Sequence, residues 1–238
     1  MRVSFNLLWT IALFATAMPL AAQVAPPAFP GEGAVERDSP VYGELPLKMS
    51  LTRKRTVLND VARCTIERFR PGVMITVAHV PHSRIEYQDV KRLLRARCLE
   101  LAGYDRLILT PAEFRGAAYT ILYREKHPQP PSELLNANLD FTDGLNPPYP
   151  PEFQLSVGLR QLADCLAKSN KAEAHAAVLA LPGSKNEDAA YKILDKQAGV
   201  CLKQGGKMKL DRAIMTGIIA EVLYREAAAA NTKADRDF

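Results

Sequence analysis

His79-Val-Pro-His-Ser-Arg-Ile-Glu86 and Ala180-Leu-Pro-Gly-Ser-Lys-Asn-Glu187 carry the same punctuation 101 residues apart: a proline that ends one helix, then an S-x-x-E box that starts the next. The same offset joins Cys64 to Cys165, Gly116 to Gly217 and Tyr123 to Tyr224, so the stretch from Cys64 to Glu125 recurs, in order, from Cys165 to Glu226. Self-similarity at a fixed period is read as repeat architecture before anything else. The expected fold class is all-α: two tandem, internally duplicated four-helix units.

The four helices of each unit follow from local pattern. Leu58, Val61, Ala62 and Thr65 line one face of a first helix, matched by Leu159, Leu162, Ala163 and Leu166. The second helix ends at Pro81 or Pro182. Here the units differ in propensity, because Gly72–His79 reads as a strand in isolation while Lys171–Val178 is plainly helical. Both fill one slot in the repeat, which assigns helix to both. The third helix opens at the serine boxes and carries Val90, Leu93, Leu94, Cys98 and Leu101 on its buried stripe. An extended link around Gly103 or Gly205-Gly206 follows, with room for a short strand pair. The fourth helix is capped by Thr110-Pro-Ala-Glu113 or by Asp211. Gly116 and Gly217 sit inside that helix at a cost of up to about 1 kcal/mol each relative to alanine, which predicts a close helix crossing.

Four cysteines permit three pairings. Duplication favours one bridge inside each unit, Cys64–Cys98 and Cys165–Cys201, each worth roughly 4 kcal/mol in the chain-entropy model. No CxxC pair exists and no histidine keeps its place in both units, so structural or catalytic metal is not expected. Residues 1–22 read as an export signal, with Arg2 before an apolar run from Leu7 to Leu20 and small residues at Ala21 and Ala22. Signal and cysteines together place the chain in a periplasm or outside the cell. Residues 23–50 are a flexible Pro/Gly-rich leader, 51–127 the first repeat, 128–151 a Pro-rich linker, 152–230 the second repeat and 231–238 a polar tail. No transmembrane segment is expected in the mature chain.

The net charge is +5, and its excess lies in the first repeat, where Leu51–Lys126 holds 15 Lys and Arg against 8 Asp and Glu. Lys91, Arg92 and Arg95 form its candidate anion-binding group, with Lys91 and Arg95 one helical turn apart. A solvated helix face accounts for such a group more economically. No aromatic residues interleave as stacking platforms, which argues against nucleic acid.

Catalytic signatures are missing from the sequence. There is no G-x-S-x-G elbow, S-x-x-K pair, H-E-x-x-H helix or phosphate-cradling glycine loop. Asn138–Gly144 has acidic spacing reminiscent of a calcium loop but lacks its glycine and closing glutamate in register, and reads as linker. Leu-Tyr-Arg-Glu occurs in both units, at Leu122–Glu125 and Leu223–Glu226. A ligand pocket and a bundle closure both account for it, and closure is favoured because groups that recur in every repeat are usually scaffold. These readings lead to no catalytic residue, no cofactor and no identified partner. The preferred function is a non-enzymatic binding or assembly module with its surface between the repeats. Its rivals are a periplasmic enzyme acting on cell-envelope material at the same junction, and a peripheral binder of anionic membrane or polyanion through the first repeat.

Overall fold

The computed structural model describes residues 49–94, 98–101, 109–129, 138–142, 151–202 and 211–234. All regular structure among them is helical: α1 (Leu51–Ala78), α2 (Arg84–Leu94), α3 (Cys98–Leu101), α4 (Pro111–Lys126), α5 (Pro151–Ser169), α6 (Lys171–Leu179), α7 (Lys185–Cys201) and α8 (Arg212–Ala234). The export signal, almost all of the leader, the linker on either side of residues 138–142, the links around Gly103 and Gly205, and the last residues of the tail lie outside the described residues.

The first two expected helices are one kinked element in the N-terminal half and two elements in the C-terminal half. The kink falls at Phe69 (φ −138°, ψ 35°), two residues before Pro71, which lacks the N–H that would close its turn. The break between α5 and α6 falls at Asn170 (φ −141°, ψ 63°), 101 positions later. The strand-like Gly72–Ala78 segment is helical because Val73, Thr76 and Val77 share a buried face, and the Thr76 hydroxyl donates to the Gly72 carbonyl at 2.9 Å. Tertiary burial outweighs β-branched propensity there.

Each serine box works with one displacement. Ser83 Oγ accepts from the Glu86 N–H at 3.2 Å, and Ser184 Oγ from the Glu187 N–H at 3.3 Å. The glutamates return not to the serine N–H but to the residue before it, His82 at 2.7 Å and Gly183 at 2.8 Å. The serine N–H groups are already donating to Val80 and Leu181 carbonyls. His82 (φ 63°) and Gly183 (φ 75°) therefore both stand in the left-handed region, aiming their N–H at the carboxylate. At Thr110 the reciprocal box is complete, with Glu113 N–H to Thr110 Oγ1 at 3.2 Å and Thr110 N–H to Glu113 Oε2 at 2.8 Å.

The centre of the molecule is the α4–α8 pair, with α1 packed on α4 and α5 on α8. Gly116 and Gly217 face each other there; a Cβ built on Gly217 would stand 2.4 Å from the Gly116 Cα, so only glycine permits the approach. Around it runs one continuous apolar core that includes Ile66, Phe114, Ile121 and Leu122 from one half and Leu166, Leu194, Ile219 and Val222 from the other. Cys64–Cys98 ties α1 to α3 and Cys165–Cys201 ties α5 to α7, with Cα–Cα distances of 5.6 and 5.8 Å; no cysteine is free. No helix among the described residues is long and apolar enough to cross a membrane.

Candidate functional site

The site begins with two buried glutamates that the caps create. Glu86 and Glu187 are each 1% exposed, and a carboxylate at such depth requires a cation. Glu187 receives Arg55 of α1, whose guanidinium also donates to the Thr216 hydroxyl at 3.0 Å. Glu86 instead receives Arg115 of α4 at 2.8 Å. Arg115 stands 101 positions before Thr216, so one half answers its buried carboxylate with a cation on the central helix where the other has a hydroxyl.

Arg115 extends the pairing across the halves. Its other nitrogens meet the Glu221 carboxylate of α8 at 3.3 and 3.4 Å, and Nη1 donates to the His79 carbonyl at 3.1 Å. Arg160 of α5 grips Glu221 from the other side with two bonds of 3.0 and 2.7 Å, and also donates to the Ser156 carbonyl and hydroxyl. Burial pushes the Glu221 carboxyl up, but the Arg115 and Arg160 charges outweigh it and hold the group below the usual carboxylate value. Burial likewise opposes the Arg115 charge, and Glu221 and Glu86 more than restore it.

This chain of charges floors a cleft of about 300 Å³, walled by the end of α1 from Val77 to Pro81, by Tyr119, by Phe153 and Val157 of α5, by Asp140 and Phe141, and by Arg225 of α8. The Tyr119 hydroxyl donates to the Val77 carbonyl at 3.0 Å, and burial with the Glu221 charge raises it to about 12. The cleft therefore presents fixed charges and fixed donors. Ser156 is held by Arg160 rather than by a base, and Glu221 is committed to two arginines, so neither is placed as a nucleophile or a proton acceptor.

The repeated Leu-Tyr-Arg-Glu string does different things in its two places. In the first, Tyr123 is buried with its hydroxyl 2.9 Å from His175 Nδ1, Glu125 pairs with Arg70 at 2.6 Å, and Arg124 donates to the Val178 and Ala180 carbonyls at 2.7 Å each. Those carbonyls are the open end of α6. The matching end of α1 is met by Tyr119 and Arg115 instead, and Arg225, the counterpart of Arg124, stands at the cleft mouth over the Phe141 ring. Glu226 is 0% exposed beside Asp164, with Lys168 4.0 Å away and no hydrogen bond to either carboxylate oxygen. Burial, then the Asp164 charge, raises it to about 7.

Of the candidate anion-binding group, Arg92 is 78% exposed and pairs with Asp89 at 3.3 Å, an acid that also meets His79 at 3.0 Å. Lys91 is half-buried on α2, and Arg95 lies outside the described residues. Sequence reasoning missed Arg115, Arg160 and Glu221. Their signal was a charge set inside an apolar helical face, as in Phe114-Arg115 and Ala220-Glu221-Val222. Among the described residues no group of three or more His, Cys, Asp and Glu side chains is placed to hold a metal ion.

No protein-family model matches this chain, and no curated protein and no solved structure shows significant similarity to it. The site's own geometry is what bears on function.

Proposed function

We propose that the chain is an exported helical binding module, built by tandem duplication of a disulfide-bridged four-helix unit, that holds its ligand in the cleft between the two units. The observation that carries this reading is the cleft itself, where the buried Glu86–Arg115–Glu221–Arg160 chain fixes donors and charges in place. Such a pre-ordered polar floor under aromatic walls suits recognition. Two bridges and the 101-residue correspondence of kinks, caps and glycines support the export and duplication parts of the reading.

The rival enzymatic reading needs an acid–base or nucleophile pair; Ser156 and Glu221 are held by arginines, which leaves the pair that His79, at the cleft edge, makes with Asp89 as the one such arrangement among the described lining residues. The polyanion reading needs unpaired cations on α2, where Arg92 already faces Asp89.

A ligand screen by thermal shift tests the proposal on the oxidised mature chain and on Val157→Trp, which fills the cleft from half-buried α5. Cleft ligands raise the wild-type midpoint and leave the filled variant unmoved. Hits that stabilise both proteins alike would overturn the cleft as the binding surface. N-terminal sequencing of the protein from its native host tests export separately: the expected first residue is Gln23.

A further inference from the structure

Arg124 and Arg225 occupy corresponding places, and only one of them is saturated. Arg124 makes two bonds of 2.7 Å to the end of α6. Arg225 has lost the matching target, because Tyr119 and Arg115 already hold the Val77 and His79 carbonyls at the end of α1. Its contacts are long: the Asp140 carbonyl at 3.3 Å, Glu221 Oε1 at 3.8 Å and the Phe141 ring centroid at 5.6 Å. A guanidinium has five N–H donors, and this one is 34% exposed at the mouth of the cleft.

The pairing pattern points the same way. Arg115, Arg160 and Arg225 are balanced in number by Glu86, Glu221 and Asp140, but Glu86 and Glu221 are engaged by the first two arginines. Asp140, also at the cleft, accepts from the Thr142 N–H at 2.8 Å and the Thr142 hydroxyl at 2.6 Å, and Arg225 meets its main-chain carbonyl. The walls beside Arg225 are apolar, from Phe141, Phe153 and Val80.

We infer that the cleft takes a small amphiphilic carboxylate, its acid group on the outer edge of Arg225 and its apolar body against Phe141, Phe153 and Val80. The inference rests on the cleft being a binding site. A planar carboxylate matches the guanidinium fork with two parallel bonds, and Arg225 stands over the Phe141 ring, 5.6 Å from its centroid. A phosphate monoester offers a similar fork but brings about −1.5 to −2 charge, which Glu221 and Asp140 would repel.

Calorimetric titration of the oxidised full mature chain with 3-phenylpropionate, 3-phenylpropionamide and phenyl phosphate tests this. The acid is expected to bind at least about tenfold tighter than the amide or the phosphate, a difference of about 1.4 kcal/mol. Arg225→Gln should erase the preference for the acid while leaving amide binding unchanged, and Arg225→Lys should restore part of it, since a lysine keeps charge without the fork. Equal binding of acid and amide, tighter binding of the phosphate, unchanged acid affinity in Arg225→Gln, or no binding of the acid at millimolar concentration would each overturn the inference. Val157→Trp separates the two levels. Amide and acid that bind alike and are both lost in that variant leave the cleft standing and remove the carboxylate; acid binding that survives in it removes the cleft.

Discussion

At Gly217 a Cβ would stand 2.4 Å from the Gly116 Cα, whereas at Gly116 it would stand 3.1 Å from the Gly217 Cα, and at Gly158 it would meet nothing within 4 Å. All three are helical, so alanine gains about 1 kcal/mol of helix propensity at each. At the crossing, overpacking against backbone costs about 1–3 kcal/mol and outweighs that gain. Urea midpoints should therefore rank Gly158→Ala above wild type, Gly116→Ala below it and Gly217→Ala lowest; a Gly217→Ala protein as stable as wild type would refute the close crossing. Glu221→Gln leaves Arg115 and Arg160 facing a neutral amide in a site 2% exposed, at a cost of about 3–5 kcal/mol. Arg225→Gln, at the rim, should cost under about 1 kcal/mol by the same denaturation measurement.

Between elements, the disulfides close α1 onto α3 and α5 onto α7, and Cys98 is buried whereas Cys64, Cys165 and Cys201 are half-buried. Exposure governs thiolate attack, so mild reductant should open Cys165–Cys201 first, as read by alkylation and mass spectrometry of the native protein. Replacing both cysteines of either bridge by serine is expected to lower stability by about 2–4 kcal/mol. Helix ends were the most legible feature of the chain because a cap is a local hydrogen bond: Ser83, Ser184 and Thr110 all sit where the spacing to glutamate placed them. The displacement of the glutamate to His82 and Gly183 was not legible, since it depends on the turn that occupies the serine N–H.

Across the whole molecule, buried titrating groups set opposing pH limits. Glu226 titrates at about 7 in the folded state against 4.5 unfolded, so its contribution is complete below about 4.5 and is lost as pH rises through about 7, amounting to roughly 3 kcal/mol. It faces Asp164 and Lys168 from α5, and Lys171 from α6 also acts on it; burial first, and then the Glu226 charge, raises the Tyr123 hydroxyl of α4. His175, lowered by burial and then by His127, works in the other direction: its stabilisation is complete above 6.5 and is lost as pH falls through its folded value. Glu221, lowered, also loses stability in acid. Stability should peak between about pH 5 and 7. Glu226→Gln should remove the decline between about pH 4.5 and 7, so that it is more stable than wild type at pH 8 and loses this advantage near pH 5 in urea titrations. A parallel decline in both proteins would refute the assignment.

The sequence by itself determined the helices, their caps, the cysteine pairing and the need for glycine at the crossing, because each rests on short-range hydrogen bonds, periodicity or an offset that can be read in one dimension. The cleft was decided by tertiary structure alone. Arg115, Glu221, Arg160 and Arg225 come from three helices far apart in the chain, and identical strings in the two halves make different contacts because Tyr119 and Arg115 hold the carbonyls at the end of α1. Which guanidinium a carbonyl or carboxylate receives depends on distance in the folded molecule, and chain position does not encode that distance.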